Sequence, residues 1–213
     1  MARQFYMIAA TARTGSSWLC DMLTSTGVAG QPREHLWYRF DAEQLQREWS
    51  RFDAANPFGT KLTFGELVRI WELLGAADRA ACRIVWMRRR DRLAQAVSRY
   101  RAQESNCWNF RSGQSVPRAH RMVRFNAERI LAHHRDLETQ DRQLNHWLDS
   151  HDIPFLQVCY EDLVDDAEGI ARCVLRFLQL PADVPLRTEC YVRLADDISQ
   201  EWMDRLRALQ PID

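Results

Sequence analysis

The sequence predicts a single α/β domain over residues 1–213, with a central parallel sheet flanked by helices in three layers. Three observations predict it. Short apolar runs of strand length alternate with segments of helical periodicity. No linker, internal repeat or low-complexity tract divides the chain, and 213 residues are enough to bury one sizeable core. The composition, 46% hydrophobic and 27% charged, is that of a globular protein, and no apolar run approaches the roughly 20 residues of a membrane span.

The first strand is Phe5-Tyr6-Met7-Ile8-Ala9-Ala10, an apolar run bounded by polar residues. Trp18, Leu19, Met22 and Leu23 then fall at helical spacing until Thr26 and Gly27. Gly27 to His35 holds two glycines and a proline and reads as a loop that crosses back over the sheet edge, bringing Glu34 near whatever the first loop binds. A polar surface helix is expected within 41–53, interrupted by Asn56-Pro57. Phe58 to Phe64 reads as the second strand, and Leu67, Ile70, Trp71 and Leu74 as a helix stripe ending at Gly75. The third strand is Cys82 to Met87. Asp91 is a good N-cap for the next helix, whose face is Leu93, Ala94, Val97 and Tyr100. Ser105 to His120 loses periodicity and reads as a mobile or substrate-facing loop around Cys107, Trp108 and Phe110. A long helix follows over 125–150, with His133, His134 and His146 read as surface or interface residues. Pro154 to Cys159 is the fourth strand. Ile170, Val174, Leu175 and Leu178 mark a helix ended by Pro181, and the last helix runs from Ser199 to Leu209.

Composition narrows the function. Formal net charge is zero, which argues against a nucleic-acid or membrane-surface binder. The six cysteines form no Cys-x-x-Cys pair and have no histidine at ligand spacing, so reduced thiols and no metal are expected. Met1-Ala2-Arg3-Gln4 runs straight into the first strand with no signal-peptide pattern, so the expected location is the cytoplasm. Of the 29 Lys and Arg residues only Lys61 is lysine, the choice where a compact ammonium is needed.

The chemistry centres on Thr11-Ala12-Arg13-Thr14-Gly15-Ser16-Ser17-Trp18, a strand, tight loop and helix N-terminus that presents free N–H groups at the positive end of a helix dipole. A Mg–triphosphate loop ends Gly-Lys-Ser/Thr. Here the same place reads Gly15-Ser16-Ser17, and the loop's cation, Arg13, precedes the glycine by two residues. Arg90 and Ser98 lie eight positions apart, at a strand end and two turns into a helix, suited to meeting a phosphate with one guanidinium and one hydroxyl. Tyr160-Glu161-Asp162-Leu163 follows the fourth strand.

These motifs, in this order, resemble those of sulfotransferases that use 3′-phosphoadenosine 5′-phosphosulfate (PAPS) without metal. Gly27-Val28-Ala29-Gly30-Gln31-Pro32-Arg33-Glu34, the run from Arg89 to Ser98 and Ala195 to Trp202 are most similar to the Stf0-type, trehalose 2-sulfotransferase-like bacterial branch. The resemblance spans most of the chain and is weakest between Ser105 and Arg124, where this sequence is abbreviated. It implies a P-loop-like fold. It also implies a 5′-phosphosulfate cradle of Arg13, Thr14, Gly15, Ser16 and Ser17, with Trp18 and Tyr160 at the adenine and Arg90 and Ser98 on the 3′-phosphate.

The same resemblance makes Glu34 the general base toward an acceptor hydroxyl, with His35 as the alternative, while Lys61 reaches the sulfate or the acceptor. The acceptor implied is a carbohydrate, glycolipid or other small hydroxylated metabolite, and the product is adenosine 3′,5′-bisphosphate (PAP). Relatives suggest a homodimer, and Trp37, Tyr38 and Trp49 suit an interface or a sugar platform. Two other readings stand beside this one: a P-loop kinase-like phosphotransferase, which would need Mg²⁺ and ATP, and a non-catalytic module that binds PAP or a partner protein.

Overall fold

Residues 5–35, 41–49, 57–189, 191 and 196–209 are described by the computed structural model. Phe5–Ala10 (β1) is buried along its whole length because both of its faces are covered by helices. It lies in the middle of a four-stranded, all-parallel sheet of order β2-β1-β3-β4, completed by Phe58–Leu62 (β2), Arg83–Arg88 (β3) and Phe155–Cys159 (β4). The register pairs Ile8 with Lys61 on one side and with Val85 on the other.

Alternation along β1 divides the core in two. Phe5, Met7 and Ala9 join Phe58, Ile84 and Trp86 on one face, under Phe64–Leu73 (the third helix, α3) and the long helix Ala127–Ser150 (α7). Tyr6, Ile8 and Ala10 join Val85, Met87 and Val158 on the other face, under Ser16–Ser25 (α1) and Ala167–Phe177 (α9). A third apolar cluster binds Arg92–Ser105 (α5) to α7 and to Asp197–Leu209 (α10) through Val97, Tyr100, Ile130, Leu137, Trp202 and Leu206. The remaining helices are Ala42–Trp49 (α2), Ala76–Ala81 (α4), Arg118–Arg121 (α6) and Tyr160–Asp165 (α8).

Most sequence boundaries hold, and the departures have local causes. The second strand stops at Leu62 instead of running to Phe64 because Thr63 and Glu66 form a capping box that starts α3. Gly75 ends one helix as expected but also begins α4, which the sequence reading left out. His134, expected at the surface, is buried on α7. Asp91 and Asn126 cap α5 and α7, accepting from the Ala94 and Arg129 N–H groups. Trp37 and Tyr38 lie outside the described residues, as does the side chain of Trp49.

Candidate functional site

Chain order reverses between β1 and β3, and the loops after these two strands meet at the carboxyl edge of the sheet, where such sheets bind ligands. Arg13 and Gly15 both have positive φ, 70° and 76°, so the chain turns sharply from β1 into α1. No side chain caps α1, which leaves its leading N–H groups to the cavity. A Cβ on Gly15 would stand 2.9 Å from the Tyr160 ring, so a side chain there would push the loop off α8. Thr14 is buried and its hydroxyl donates to the Thr11 carbonyl at 3.1 Å, closing the turn.

The loop floors a cavity of about 710 Å³. Arg13 Nε donates to Ser98 Oγ at 3.0 Å, and its Nη1 donates to the Trp108 carbonyl. Burial, reinforced by the neighbouring Arg89 charge and offset by Tyr160, pulls the Arg13 guanidinium down to about 10, so it remains charged at neutral pH. Among the described residues no carboxylate is ion-paired with it.

Glu34 reaches the same cavity by way of the sheet edge. Arg33 pairs with Thr60 on the outermost strand, β2, and its carbonyl accepts from the Lys61 N–H at 2.8 Å. That pairing sets the Glu34 carboxylate 2.8 Å from Lys61 Nζ, which also donates to Ser17 Oγ at 2.9 Å. The single lysine therefore bridges the anion loop and the carboxylate. His35 is turned elsewhere: its Nε2 meets the Gln31 carbonyl at 2.7 Å, and its ring lies 5.8 Å from that of Phe58.

At the far end of the cavity the structure separates Arg90 from Ser98. Ser98 lines the cavity, as do Arg89 and Tyr160, with Arg89 stacked over the Tyr160 ring at 4.5 Å. Arg90 instead forks onto Asp162 at 2.6 and 3.0 Å, half-exposed on the outer side. Trp18 lines the cavity and donates its indole N–H to the Thr188 carbonyl at 2.6 Å.

The Stf0 sulphotransferase family model matches residues 5–80 and 61–209. The chain belongs to the Stf0 sulphotransferase family. It is 26% identical over 259 residues to the trehalose 2-sulfotransferase of Mycobacterium tuberculosis, covering 97% of this chain and 95% of that protein. A crystal structure of a sulfotransferase from Alicyclobacillus acidocaldarius shares the fold, with a TM-score of 0.61, 16% identity, and coverage of 98% of this chain and 96% of that one. The P-loop-like three-layer architecture expected from the sequence is thus the fold present. The stretch aligned to the mycobacterial relative is longer than the 213 residues here, so that protein carries segments this Stf0 chain lacks.

In this family member the outer wall comes from the segment read as a mobile or substrate-facing loop and from the tail. Trp108, Asn109 and Phe110 line the cavity, opposite the anion loop in sequence but joined to it through Arg13. His120 lines it too. Burial, and then the Arg101 charge, lower its imidazole to about 4, so it is neutral at pH 7.

Arg101, whose side chain is 1% exposed, holds this wall to α10. It pairs with both oxygens of Asp196, donates to Ser199 Oγ at 2.5 Å and to the His120 carbonyl at 3.2 Å. Burial pushes the Asp196 carboxyl up, but the bonds from Arg101 and Ser199 and the Arg101 charge outweigh it and hold it at about 2. The folded value lies below the unfolded one of about 3.9. The pair therefore stabilises the fold fully above the unfolded value and loses that contribution as pH falls from about 4 towards 2. Thermal melts over that interval should fall more steeply for wild type than for Asp196→Asn, and parallel slopes would mean that Asp196 carries none of the acid sensitivity.

Arg89 and His120 are among the cavity residues that the sequence does not announce. Arg89 was hidden in Arg88-Arg89-Arg90, because which member of a basic run at a strand end turns inward depends on the last residues of the pleat. His120 was taken as the end of a loop. Its burial depends on Arg101 and on Ser105, whose hydroxyl lies 3.2 Å from His120 Nδ1, a long-range arrangement with no local signal.

Proposed function

We propose that this chain transfers the sulfuryl group of PAPS to a hydroxyl of a small acceptor, probed first with carbohydrates because the mycobacterial relative is named a trehalose 2-sulfotransferase. The observation that carries this reading is the line Ser17–Lys61–Glu34: a carboxylate, an ammonium and an anion loop stand in sequence within one cavity. The residues fit the donor. Arg13 is a half-buried cation beside a second cation, Arg89, and the uncapped start of α1 adds partial positive charge. Such a site favours a multiply charged anion.

When bound, the donor supplies an activated sulfuryl group on an anhydride whose S–O bond breaks as the acceptor oxygen bonds to sulfur. Glu34 takes the proton of the acceptor hydroxyl. Arg13 and the N–H groups of Gly15, Ser16 and Ser17 take up the charge left on the phosphate. Lys61, fixed between Ser17 and Glu34, keeps the base and the loop in one frame. Ser98 and the arginines at the end of β3 hold the 3′-phosphate. The geometry favours Arg89 over Arg90, because Arg89 lines the cavity while Asp162 occupies the fork of Arg90.

The test is equilibrium binding of PAP against ADP and ATP, with and without Mg²⁺. Metal-independent preference for PAP is expected. Arg89→Ala should weaken PAP by about tenfold or more, the weight of one charge-assisted contact, with Arg90→Ala near wild type. The reverse order would restore Arg90 to the 3′-phosphate. A need for Mg²⁺ would overturn the donor assignment.

A further inference from the structure

Behind the anion loop runs a chain of polar side chains that do not line the cavity. Gln95, on α5, is fully buried. Its Nε2 donates to Thr11 Oγ1 at 2.9 Å and to the Ala12 carbonyl at 2.8 Å, and its Oε1 accepts from Arg92 Nη1 at 3.0 Å. The other prong of Arg92 is bonded to Asp141 of α7, itself buried. Arg88 Nε reaches the same Asp141 oxygen at 3.3 Å, and Arg88 Nη1 donates to Gln157 of β4 at 3.2 Å.

We infer that Gln95 is a positioning residue for sulfuryl transfer: it fixes the direction of the Ala12 carbonyl and hence the left-handed turn that aims Arg13, and Arg92 with Asp141 sets Gln95 in turn. The inference rests on the reading of 11–18 as the cradle of the donor's 5′ end. An amide could in principle sit either way round. A guanidinium can only donate, so Arg92 requires the Gln95 oxygen on its side and leaves the two N–H groups for the loop. The Ala12 carbonyl and the Arg13 N–H lie in one peptide plane, so anchoring the first orients the second. Arg13 needs such an anchor, because at φ 70° it lies outside the region an L residue prefers. Arg92 can serve both neighbours at once because its donors form a rigid fork.

This arrangement predicts a selective effect. Gln95 bonds directly to Thr11 and Ala12, the part of the loop that carries Arg13, and is linked to Ser98 through Arg13 itself. Its loss should therefore be felt first at the 5′ end of the donor and much less at the 3′ end. A side chain that merely stabilised the fold would weaken both alike.

The experiment measures calorimetric affinities of the full chain for adenosine 5′-phosphosulfate, which has only the 5′ anions, and for adenosine 3′-phosphate, which has only the other. Gln95→Met keeps length and volume but cannot donate. It should weaken the 5′ probe by about tenfold, leave the 3′ probe within about twofold, and lower kcat by up to about 100-fold through misplacement of Arg13. Arg92→Lys keeps a cation beside Asp141 but loses the fork, and should give the same selective loss to a smaller extent. It decides the matter if Gln95→Met does not fold. Equal loss on both probes, or loss on neither, overturns the positioning role. Failure of the wild type to bind adenosine 5′-phosphosulfate overturns the donor reading itself, and that failure is visible before any variant is made.

Discussion

Glu34→Gln is expected to lower kcat by about 10²–10⁴-fold, the usual weight of a general base, while PAP binding stays at the wild-type value. The substitution keeps the shape of the side chain and removes its charge and its capacity to accept a proton. Its neighbours are held independently: Arg33 is bonded into the edge of β2, and Lys61 keeps its bond to Ser17. The Glu34 side chain is 46% exposed, so breaking its ion pair with Lys61 should cost the fold little. Single-turnover rates with PAPS and a carbohydrate acceptor, beside PAP affinity, separate the two effects. A kcat unchanged in Glu34→Gln would remove the carboxylate from the reaction. His35 is a poor substitute in this geometry, because its Nε2 is engaged by the Gln31 carbonyl and its ring faces Phe58.

The parts of this site that were legible in the sequence are those built from contiguous residues. A buried parallel strand has to be apolar throughout, and the turn into α1 needs glycine at Gly15. The segment from Phe5 to Leu23 therefore announces strand, loop and helix by itself. Lys61 stood out through composition alone, as one lysine among 29 basic residues, and the structure places it between the loop and Glu34. The place of Glu34 near the loop is read from the return of the chain over the sheet edge and its role as base from resemblance; what brings it to the cavity is the pairing of Arg33 with Thr60, a contact across 27 positions that no local pattern encodes. Gln95 was legible only as one letter of a motif. Its partner Ala12 comes from the first loop, and Asp141, which holds it through Arg92, comes from α7; a buried amide reads in sequence like any helix residue until those groups are in place. The arginine pair was ambiguous for a different reason. Spacing fixes how far Arg90 lies from Ser98 along the chain, but the carboxylate of Asp162 draws the Arg90 guanidinium outward, while Glu161 lies near both arginines.

Arg13→Gly should lower kcat by about 10²–10³-fold, as removal of one charge-stabilising donor does elsewhere, and yet leave the fold as stable as wild type or more so. The two effects have separate physical origins. The backbone at Arg13 is left-handed, φ 70°, which costs an L residue roughly 1–2 kcal/mol and costs glycine almost nothing. Its guanidinium is half-buried next to the Arg89 charge, and both desolvation and that neighbour disfavour the cation. Against these stand two bonds, to Ser98 Oγ and to the Trp108 carbonyl, each worth about 1 kcal/mol net. The balance is close to zero, so the fold gains no stability from the strained arginine, as expected of strain kept at a functional site. The measurement pairs a melting curve with turnover. A Tm within a few degrees of wild type or above it, with turnover lost, assigns Arg13 to the chemistry. A Tm far below wild type with turnover retained would make Arg13 a latch for the 107–110 segment, and the anion would have to be met by Lys61, Arg89 and the start of α1 alone.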